Sequence, residues 1–334
     1  MRDIQNYNLL HHNTFGINAT CRRFIEYATT EEAQQVAQIL SASNDPFLII
    51  GGGSNLLLTG DYEGIVVRSA IQHIAQIDEI RVRCGSGYEW DKFIDFCLSK
   101  QLYGAENLSL IPGDVGASAV QNIGAYGAEV QELIEEIEAV EIHSGKIQIL
   151  KNAECAYAYR QSRFKNEWKN RYLITHVTFR LSKTFTPKLD YGNITTRLVQ
   201  QGIAQPTAEE LRQTIINIRN EKLPDPKTLG NAGSFFMNPI VDIEKYAELA
   251  AQYSNMPHYV VNEKQMKIPA GWLIEQCGWK GRRMGEAGVY EKQSLVLVNY
   301  GQATGQDIVR LCKAIQADVI QKFGIDIHPE VNII

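Results

Sequence analysis

Pro46-Phe-Leu-Ile-Ile50 runs directly into Gly51-Gly-Gly-Ser-Asn55, and this stretch limits the kind of fold that the chain can have. The apolar residues predict a short buried strand that ends at the glycines. Three glycines in a row leave backbone N–H groups uncovered, and such a turn can hold a pyrophosphate. A tight turn that needs positive φ would explain the same glycines without any ligand. From this segment alone both interpretations stay open.

The glycine turn departs from the two common nucleotide-binding motifs. Counted from Gly51, the third glycine of the dinucleotide fingerprint would fall at Leu56. The Lys-Ser/Thr pair that ends a P-loop is also missing. The turn therefore predicts neither a Rossmann-type domain nor a P-loop nucleotidase.

A second segment is equally poor in large side chains. Ile111-Pro-Gly-Asp-Val-Gly-Ala-Ser118 continues to Gln121-Asn-Ile-Gly-Ala-Tyr-Gly127. So few large side chains allow a flat or charged ligand to approach the backbone closely, and Gln121, Asn122 and Tyr126 could supply hydrogen bonds. A loop packed beneath another element is the alternative. Two such segments point equally to a nucleotide or flavin site and to packing.

The composition is that of an ordinary globular protein. The chain has 334 residues, enough for about two domains, with 44% hydrophobic and 21% charged residues. The net charge of −5 and the lack of a basic stripe give no support for a nucleic-acid or membrane partner. No signal-peptide pattern or spanning stretch is present, so a cytoplasmic protein is expected. The six cysteines lack zinc spacing, which predicts free thiols and no metal site.

Local patterns predict mixed helices and strands. Capping boxes at Thr29-x-x-Glu32 and Thr207-x-x-Glu210 each open a helix, and the apolar face after Trp90 indicates another. A hairpin is expected at 139–150 with Ser144-Gly145 at its turn, and residues 172–181 alternate like a long strand. Later elements are helices from about Asp242, Gly271 and Asp307, with Gly324 suited to the C′ position of the last. We place a domain boundary near Leu223-Pro-Asp-Pro226.

Short motifs of the same character recur through nearly the whole chain. Besides the two glycine segments they are Asn13-Thr-Phe-Gly16, Tyr159-Arg160-x-Ser162, Lys222-Leu-Pro-Asp-Pro226, Gly230-Asn-Ala-Gly-Ser-Phe-Phe236, Asn238-Pro239, Ala270-Gly-Trp-Leu-Ile274 and Pro329-Glu-Val331. In this order and spacing they resemble the UDP-N-acetylenolpyruvoylglucosamine reductase family. Leu189-Asp-Tyr-Gly-Asn193 resembles the tyrosine loop of its longer, first subtype. Asp114 and Ala119 depart from the family pattern, which favours other small residues or proline there.

The resemblance implies an α+β fold. It consists of an FAD-binding fold of the vanillyl-alcohol-oxidase type, made of two α+β subdomains, and a C-terminal α+β substrate-binding domain. The implied boundaries are 1–70 and 71–217 for the two FAD-binding subdomains and 218–323 for the UDP-sugar domain, with the tail 324–334 returning towards the active site.

The resemblance also implies a reaction in two halves. NADPH gives a hydride to non-covalently bound FAD, and the reduced flavin gives a hydride to C3 of UDP-N-acetylglucosamine enolpyruvate. A proton then reaches C2, yielding UDP-N-acetylmuramate for peptidoglycan. The protein must therefore orient the substrate, stabilise the developing anion and donate the proton.

The implied FAD contacts lie in the two glycine segments. They are Gly51, Gly52, Gly53, Ser54, Asn55, Ile111, Pro112, Gly113, Gly116, Ser118, Gln121, Asn122, Gly124, Ala125, Tyr126 and Gly127.

Three residues are implied to carry the chemistry. Arg160 is the cation that would grip a carboxylate and stabilise the anion, although a structural ion pair is the simpler interpretation of an arginine. Ser234 is the proton donor; its surroundings lack the Gly-x-Ser-x-Gly elbow of a hydrolase, and a turn serine is the alternative. Glu330 could donate a hydrogen bond if protonated, whereas an ionised Glu330 has the wrong charge. The sequence leaves its protonation open, and an exposed terminal acid is the alternative.

The substrate's UDP portion is implied to meet Tyr191, Arg219, Lys222 and Asn238. Basic groups suit a diphosphate and an aromatic ring can close over a nucleotide. Lys222 would also be favourable at a helix C-terminus without any ligand.

Two other functions remain open on the sequence. One is another FAD-dependent oxidoreductase of the same superfamily, although the glycine segments offer no His or Cys for covalent flavin attachment. The other is a flavin- or UDP-sugar-binding protein without catalysis, which would have no need of the residues at 160, 234 and 330. A monomer with small-molecule partners only is expected.

Overall fold

The computed structural model describes residues 1–334, and it contains eight α-helices. In chain order these are α1 Thr30–Ala42, α2 Trp90–Ser99, α3 Val115–Gln121, α4 Ile194–Gln200, α5 Ala208–Lys222, α6 Ile243–Gln252, α7 Ala270–Gln276 and α8 Gly305–Phe323. None of these helices combines the length and the apolar character that crossing a bilayer would require.

Twenty strands, most of them short, accompany the helices. In chain order they are β1 Arg2–Asn8, β2 Thr20–Tyr27, β3 Phe47–Ile50, β4 Leu56–Leu57, β5 Tyr62–Ser69, β6 Ile74–Gln76, β7 Arg81–Gly85, β8 Gly124–Ala125, β9 Ala128–Glu129, β10 Ile134–Glu141, β11 Ile147–Lys151, β12 Tyr172–Arg180, β13 Gly230–Ser234, β14 Ile240–Asp242, β15 Tyr259–Asn262, β16 Gln265–Lys267, β17 Arg283–Met284, β18 Ala287–Val289, β19 Val296–Asn299 and β20 Asn332–Ile333. The mixture confirms the predicted α+β class.

The chain forms two compact units. The first comprises residues 1–7, 21–52 and 63–219, and the second comprises 8–20, 53–62 and 220–334. The tail 324–334 belongs to the second unit, together with residues 53–62. The finer division of the FAD-binding part into two subdomains stays a prediction.

The first unit contains two sheets. One has the strand order β1-β2-β5-β3, in which β3 runs parallel to β5, and the other has the order β11-β10-β12-β7-β6. The core of the second sheet is aromatic: the rings of Phe93 and Phe179 lie 4.4 Å apart and those of Trp90 and Phe93 lie 5.1 Å apart. Contacts of this kind contribute about 0.5–1.5 kcal/mol each beyond simple burial.

Strand β12 differs from the prediction in its burial. The sequence indicated alternating faces, but every residue from Tyr172 to Phe179 is buried. The strand is central in its sheet, between β10 and β7. Its polar residues Thr175 and His176 are buried because both bond to the Glu138 carboxylate, so their presence does not mark a solvent face.

The second unit combines small sheets with helix α8. Its sheets have the orders β13-β19-β18-β17 and β14-β16-β15, and β20 pairs with β4 in parallel. Helix α8 packs on β18 and β19 through one apolar face that includes Ile308, Cys312 and Val319. The chain thereby buries the face that the sequence predicted.

The predicted helix ends are confirmed. Thr29 accepts the N–H of Glu32 at the start of α1, and Thr207 and Glu210 bond reciprocally at the start of α5. Gly324 takes the left-handed conformation at φ 63° immediately after α8. Such caps are worth about 1 kcal/mol each. The hairpin turn at Ser144-Gly145 is also as predicted, and Cys97 and Cys312 are buried as expected.

Candidate functional site

The two glycine segments meet within the first unit. A Cβ added at Gly51 would lie 3.0 Å from the Cβ of Ala117, and one at Gly52 would lie 3.3 Å from Gly113 Cα and from Asp114 Oδ1. Side chains at 51 and 52 would therefore clash with the second glycine segment, and the glycines let the two segments pack this closely. The sequence predicted both segments separately, and the structure joins them in one place.

Asp114 is the acidic group at this junction. Its carboxyl is buried, and Arg68 Nη2 lies 3.6 Å from Oδ2. Burial raises the pKa of Asp114 to about 6, although the positive charge of Arg68 opposes that shift. Oδ2 and the neighbouring Arg68 Nε are both buried without a hydrogen-bond partner. Buried polar atoms without a hydrogen bond are rare in folded proteins, and a ligand that reached these two atoms would supply a partner.

Part of the second glycine segment is helical. Residues 115–121 form α3, which the sequence did not predict because glycine and serine are weak helix formers. Gly116 contacts Ser86 so closely that an added Cβ would lie 2.7 Å from Ser86 Cβ. Ser118 is buried and donates its hydroxyl to Val115 O. Both residues therefore have a packing role in the structure, and their FAD contacts stay predictions.

Asn122 ends α3 and holds the following turn together. It is fully buried in the left-handed conformation at φ 44°. Its amide donates to Glu129 and to Ala158 O, and its side-chain oxygen accepts the N–H of Gln131. An aspartate could not make both donations. We therefore infer that Asn122 maintains the shape of the turn at 123–127.

Arg160 lies against this turn. Its Nη2 donates to Gly124 O at 2.6 Å and its Nη1 to Asn122 O at 3.4 Å. A Cβ at Gly124 would come within 2.8 Å of Nη1, so the glycine makes room for the guanidinium. Arg160 itself has a left-handed backbone, at φ 57°, and strain of this kind is concentrated at functional sites. The predicted catalytic cation is thus fixed by the predicted flavin segment.

Tyr126, Tyr191 and Arg219 also come together in the first unit. A Cβ at Gly192 would lie 3.7 Å from the Tyr126 ring, and one at Gly127 would lie 3.3 Å from Tyr191 Cβ. Burial lowers the pKa of the Arg219 guanidinium, and the positive charge of Arg160 lowers it further, while Tyr126 acts in the opposite direction. Two guanidinium groups that repel each other favour an anion between or beside them.

In the second unit, the remainder of the first glycine segment contacts the C-terminal tail. A Cβ at Gly53 would lie 2.0 Å from His12 O, and the residue has φ 68°, so only glycine fits. Asn55 donates to Glu330 O at 3.2 Å, and Asn55 O accepts the N–H of Asn332 at 3.1 Å. The tail therefore contacts the first glycine segment at Asn55, and its return towards an active site stays a prediction.

Ser234 and Glu330 are neighbours in the second unit. Ser234 ends β13 with an exposed side chain, and Glu330 N–H donates to Phe235 O at 2.8 Å. A bridge between Phe236 and Pro329 adds to this pairing. The predicted proton donor and the predicted carboxyl thus lie on two paired backbone segments.

The remaining residues predicted to bind FAD or the UDP-sugar lie in varied surroundings. Asn238 Oδ1 accepts the N–H of Ala270, which uses one side of its amide to start α7. Lys222 is exposed at the end of α5. Pro112 is exposed, and Ile111 and Ala125 pack partly on the core of the first unit. Ser54 and Gln121 are half-buried.

The sequence did not single out two residues that support this site. Buried Asn107 donates to Tyr126 O at 2.8 Å and to Lys188 O at 3.0 Å, joining the second glycine segment to residues near Tyr191. Arg68 contacts Asp114 from β5. Neither has a local motif, because their role depends on partners distant in sequence.

The first unit has residue types that suit a flavin dinucleotide. Gly51 and Gly52 pack against the second glycine segment at Gly113, Asp114 and Ala117, and a buried donor and acceptor without hydrogen bonds lie at Arg68 Nε and Asp114 Oδ2. Arg160 and the aromatic ring of Tyr126 adjoin the same glycine segment. These residues fit a ligand that is both flat and charged.

Two known protein families match parts of this chain. The family described as FAD binding domain matches residues 22–151, and the C-terminal domain of UDP-N-acetylenolpyruvoylglucosamine reductase matches residues 225–334. The chain is therefore an FAD-binding flavoprotein with a reductase-type C-terminal domain.

Full-length relatives narrow the class to one family. UDP-N-acetylenolpyruvoylglucosamine reductase of Bacteroides fragilis is 51% identical over 99% of both chains, and that of Porphyromonas gingivalis is 45% identical over 99% of this chain and 98% of the other. The crystal structure of the Thermus caldophilus reductase shares the fold, with a TM-score of 0.69 at 21% identity, covering 99% of this chain and 98% of that chain. The chain belongs to the UDP-N-acetylenolpyruvoylglucosamine reductase family and is an oxidoreductase.

Proposed function

We propose that the protein reduces UDP-N-acetylglucosamine enolpyruvate to UDP-N-acetylmuramate, with NADPH as the hydride donor and FAD as the carrier. The observation that carries this proposal is the anchoring of Arg160 on the carbonyl groups of Asn122 and Gly124. A fixed cation beside the FAD-binding segment suits a substrate that becomes anionic when it accepts a hydride.

FAD, when bound, supplies the hydride-transfer chemistry that no side chain can provide. Gly51, Gly52 and the segment 111–127 of the first unit would hold it. The glycine backbone would meet the diphosphate, because its N–H groups are not covered by side chains.

Arg160 would stabilise the substrate. Its guanidinium is already held by two backbone carbonyls, so little reorganisation is needed when negative charge develops. Since it is planar, the group can grip the enolpyruvyl carboxylate with two parallel hydrogen bonds. As charge moves from C2 into that carboxylate, the attraction strengthens and the barrier falls.

Ser234 would give the proton to C2. Its exposed hydroxyl at the end of β13 is available to a ligand, and a carbanion-like centre is basic enough to take a proton from a weak acid. Glu330 is held at the neighbouring backbone segment. A protonated Glu330 would donate a hydrogen bond to the same anion.

Tyr191, Arg219, Lys222 and Asn238 would bind the UDP portion. Arg219 and Arg160 supply positive charge in the first unit, and the exposed ring of Tyr191 can close over a nucleotide. NADPH and the UDP-sugar would use the flavin in turn, which gives ping-pong kinetics. Since all six thiols are free, a reducing cytoplasm is the setting we propose, and we propose a monomer that supplies peptidoglycan synthesis.

The two halves can be tested separately without oxygen. NADPH should bleach the flavin absorbance of the purified protein, and UDP-N-acetylglucosamine enolpyruvate added afterwards should restore it with formation of UDP-N-acetylmuramate. A flavin that is reduced by NADPH but stays reduced after the UDP-sugar is added would refute the proposed substrate. Another oxidoreductase of the same class would then be the better interpretation.

A further inference from the structure

The carboxyl of Asp114 faces the glycine turn from inside the protein. Its Oδ1 would lie 3.3 Å from a Cβ at Gly52, and its Oδ2 would lie 3.5 Å from a Cβ at Gly51. The residue is 7% exposed, and Oδ2 has no hydrogen-bond partner. A buried carboxyl therefore lies directly beside Gly51 and Gly52, the turn at which we propose that the FAD diphosphate binds.

The charges around Asp114 do not balance a carboxylate well. Arg68 is the one cation close to it, at 3.6 Å, and the same guanidinium is hydrogen-bonded to Glu26 at 3.0 Å. Glu89, whose backbone bridges to Asp114, adds a further negative charge and is paired with Lys92 at the surface. The single positive charge of Arg68 is thus shared between the carboxyl groups of Glu26 and Asp114.

A neutral Asp114 removes this imbalance. Burial of the carboxyl raises its pKa to about 6, so a modest further push is enough to protonate it near neutral pH. The diphosphate of a dinucleotide carries two negative charges, and a like charge nearby disfavours the ionised carboxyl. A protonated carboxyl also gains an O–H donor, which an ionised one lacks.

We propose that Asp114 takes up one proton from solvent when the FAD diphosphate binds at Gly51 and Gly52, and then donates its O–H to that diphosphate. The inference rests on the FAD site described under the proposed function. Asp114 thereby becomes a binding residue that makes cofactor affinity depend on pH. The protonated side chain of Asp114 would act as a neutral hydrogen-bond donor to the diphosphate.

The opposite behaviour is also conceivable for a carboxyl in this place. An ionised Asp114 could accept a hydrogen bond from a hydroxyl of the cofactor, without any proton uptake. In that case affinity would rise with pH through the range in which Asp114 ionises. A protonated and an ionised Asp114 therefore predict opposite changes of FAD affinity with pH.

The test measures flavin release from the holoprotein by the fluorescence of free FAD after dilution, between pH 5.5 and 8.5. If one proton is taken up on binding, the dissociation constant should rise with pH above about 6, approaching tenfold per pH unit. Asp114→Asn, which is neutral and keeps a donor, should flatten this dependence and bind FAD more tightly than wild type at pH 8. The exposed acid Glu79 gives a control, since Glu79→Gln should keep the wild-type slope.

A second measurement on the wild-type protein avoids reliance on a variant that fails to fold. The heat of FAD rebinding at pH 7.5, in two buffers of different ionisation enthalpy, should show net uptake of protons, up to one for each FAD. No proton uptake, or affinity that rises with pH, would overturn the inference while leaving the FAD site intact. A protein that binds no FAD at any pH would instead contradict the proposed function.

Discussion

Ser234 is the residue whose replacement we expect to separate the two proposed half-reactions most clearly. Its hydroxyl is exposed at the end of β13, so Ser234→Ala removes a proton donor without opening a cavity. We expect NADPH to reduce the flavin at a rate close to wild type. Reoxidation by the UDP-sugar should slow by about 10²–10⁴-fold, the usual contribution of a general acid. Anaerobic stopped-flow absorbance of the flavin measures both rates.

Ser254→Ala is a matched control, because Ser254 is an exposed serine in a turn of the same unit. It should leave both half-reactions unchanged. If Ser234→Ala slowed both half-reactions equally, Ser234 would not be the proton donor to C2.

Glu138 connects several elements of the first unit. Its carboxylate bonds to Thr175 and His176 of β12, Arg83 of β7 and Thr30 of α1. The hydrogen bond with His176 lowers the pKa of Glu138 far below its ordinary value of 4.5, and Thr175 and Arg83 lower it further. A carboxyl with a lowered pKa stabilises the fold above its unfolded pKa, and this stabilisation is lost as the pH falls below about 4.5.

Glu138→Gln should therefore lower the free energy of unfolding by about 2 kcal/mol at pH 7, somewhat less than for a fully buried pair. The difference from wild type should shrink as the pH falls from 5 towards 3. Urea unfolding at a series of pH values measures it. Glu136→Gln, on the same strand with an exposed Lys151 partner, should change stability by less than about 0.5 kcal/mol. If Glu138→Gln lowered the free energy of unfolding equally at every pH, the charge of Glu138 would not be the source of its stabilising effect.

Helix α3 owes its position to a glycine. Since an added Cβ at Gly116 would lie 2.7 Å from Ser86 Cβ and 3.1 Å from Ser86 O, Gly116→Ala should destabilise the protein by about 1–3 kcal/mol through overpacking. The midpoint of urea unfolding reports this. Gly60→Ala, where nothing lies within 4 Å of the added Cβ, should be neutral. An unchanged midpoint for Gly116→Ala would mean that α3 can shift freely.

Elements with strong local signals were predictable, and those set by distant partners were not. The caps at Thr29, Thr207 and Gly324 depend on neighbours in sequence, and all three are confirmed. Helix α3 was missed because its small residues favour helix only once they pack on Ser86. The complete burial of β12 likewise depends on partners such as Glu138.

The C-terminal tail ties the end of the chain to the first glycine segment. Asn332 and Ile333 pair with Leu56 and Leu57, and Thr59 N–H donates to Ile334 O at 2.8 Å. Deletion of residues 332–334 should loosen the tail that carries Glu330, since the pairing with Leu56 and Leu57 and the bond from Thr59 would be lost. We expect the second half-reaction to slow by about tenfold or more, with a smaller effect on flavin reduction.

Asn332→Ala keeps the backbone pairing and serves as the control for this deletion. It should retain most of the wild-type rate of flavin reoxidation. Full activity of the deleted chain would show that the tail does not support Glu330.

Across the molecule, some residues of the candidate site could be predicted from their chemistry, and others only from the resemblance to a known family. The glycine segments could be recognised from composition, and the structure brings Gly51 and Gly52 against Gly113 and Asp114. Arg160, Ser234 and Glu330 each have an ordinary structural explanation from sequence alone, so only the order of motifs identified them. Arg68 and Asn107 have no local signal, because their partners lie 46 and 19 residues away.

The activity that we propose for this protein is the reduction of an enolpyruvyl UDP-sugar. The most direct measurement is NADPH consumption by the purified protein, with and without UDP-N-acetylglucosamine enolpyruvate. We expect a yellow, FAD-bearing protein whose NADPH oxidation depends on that substrate and yields UDP-N-acetylmuramate. Bound FAD with no dependence on the UDP-sugar would contradict it.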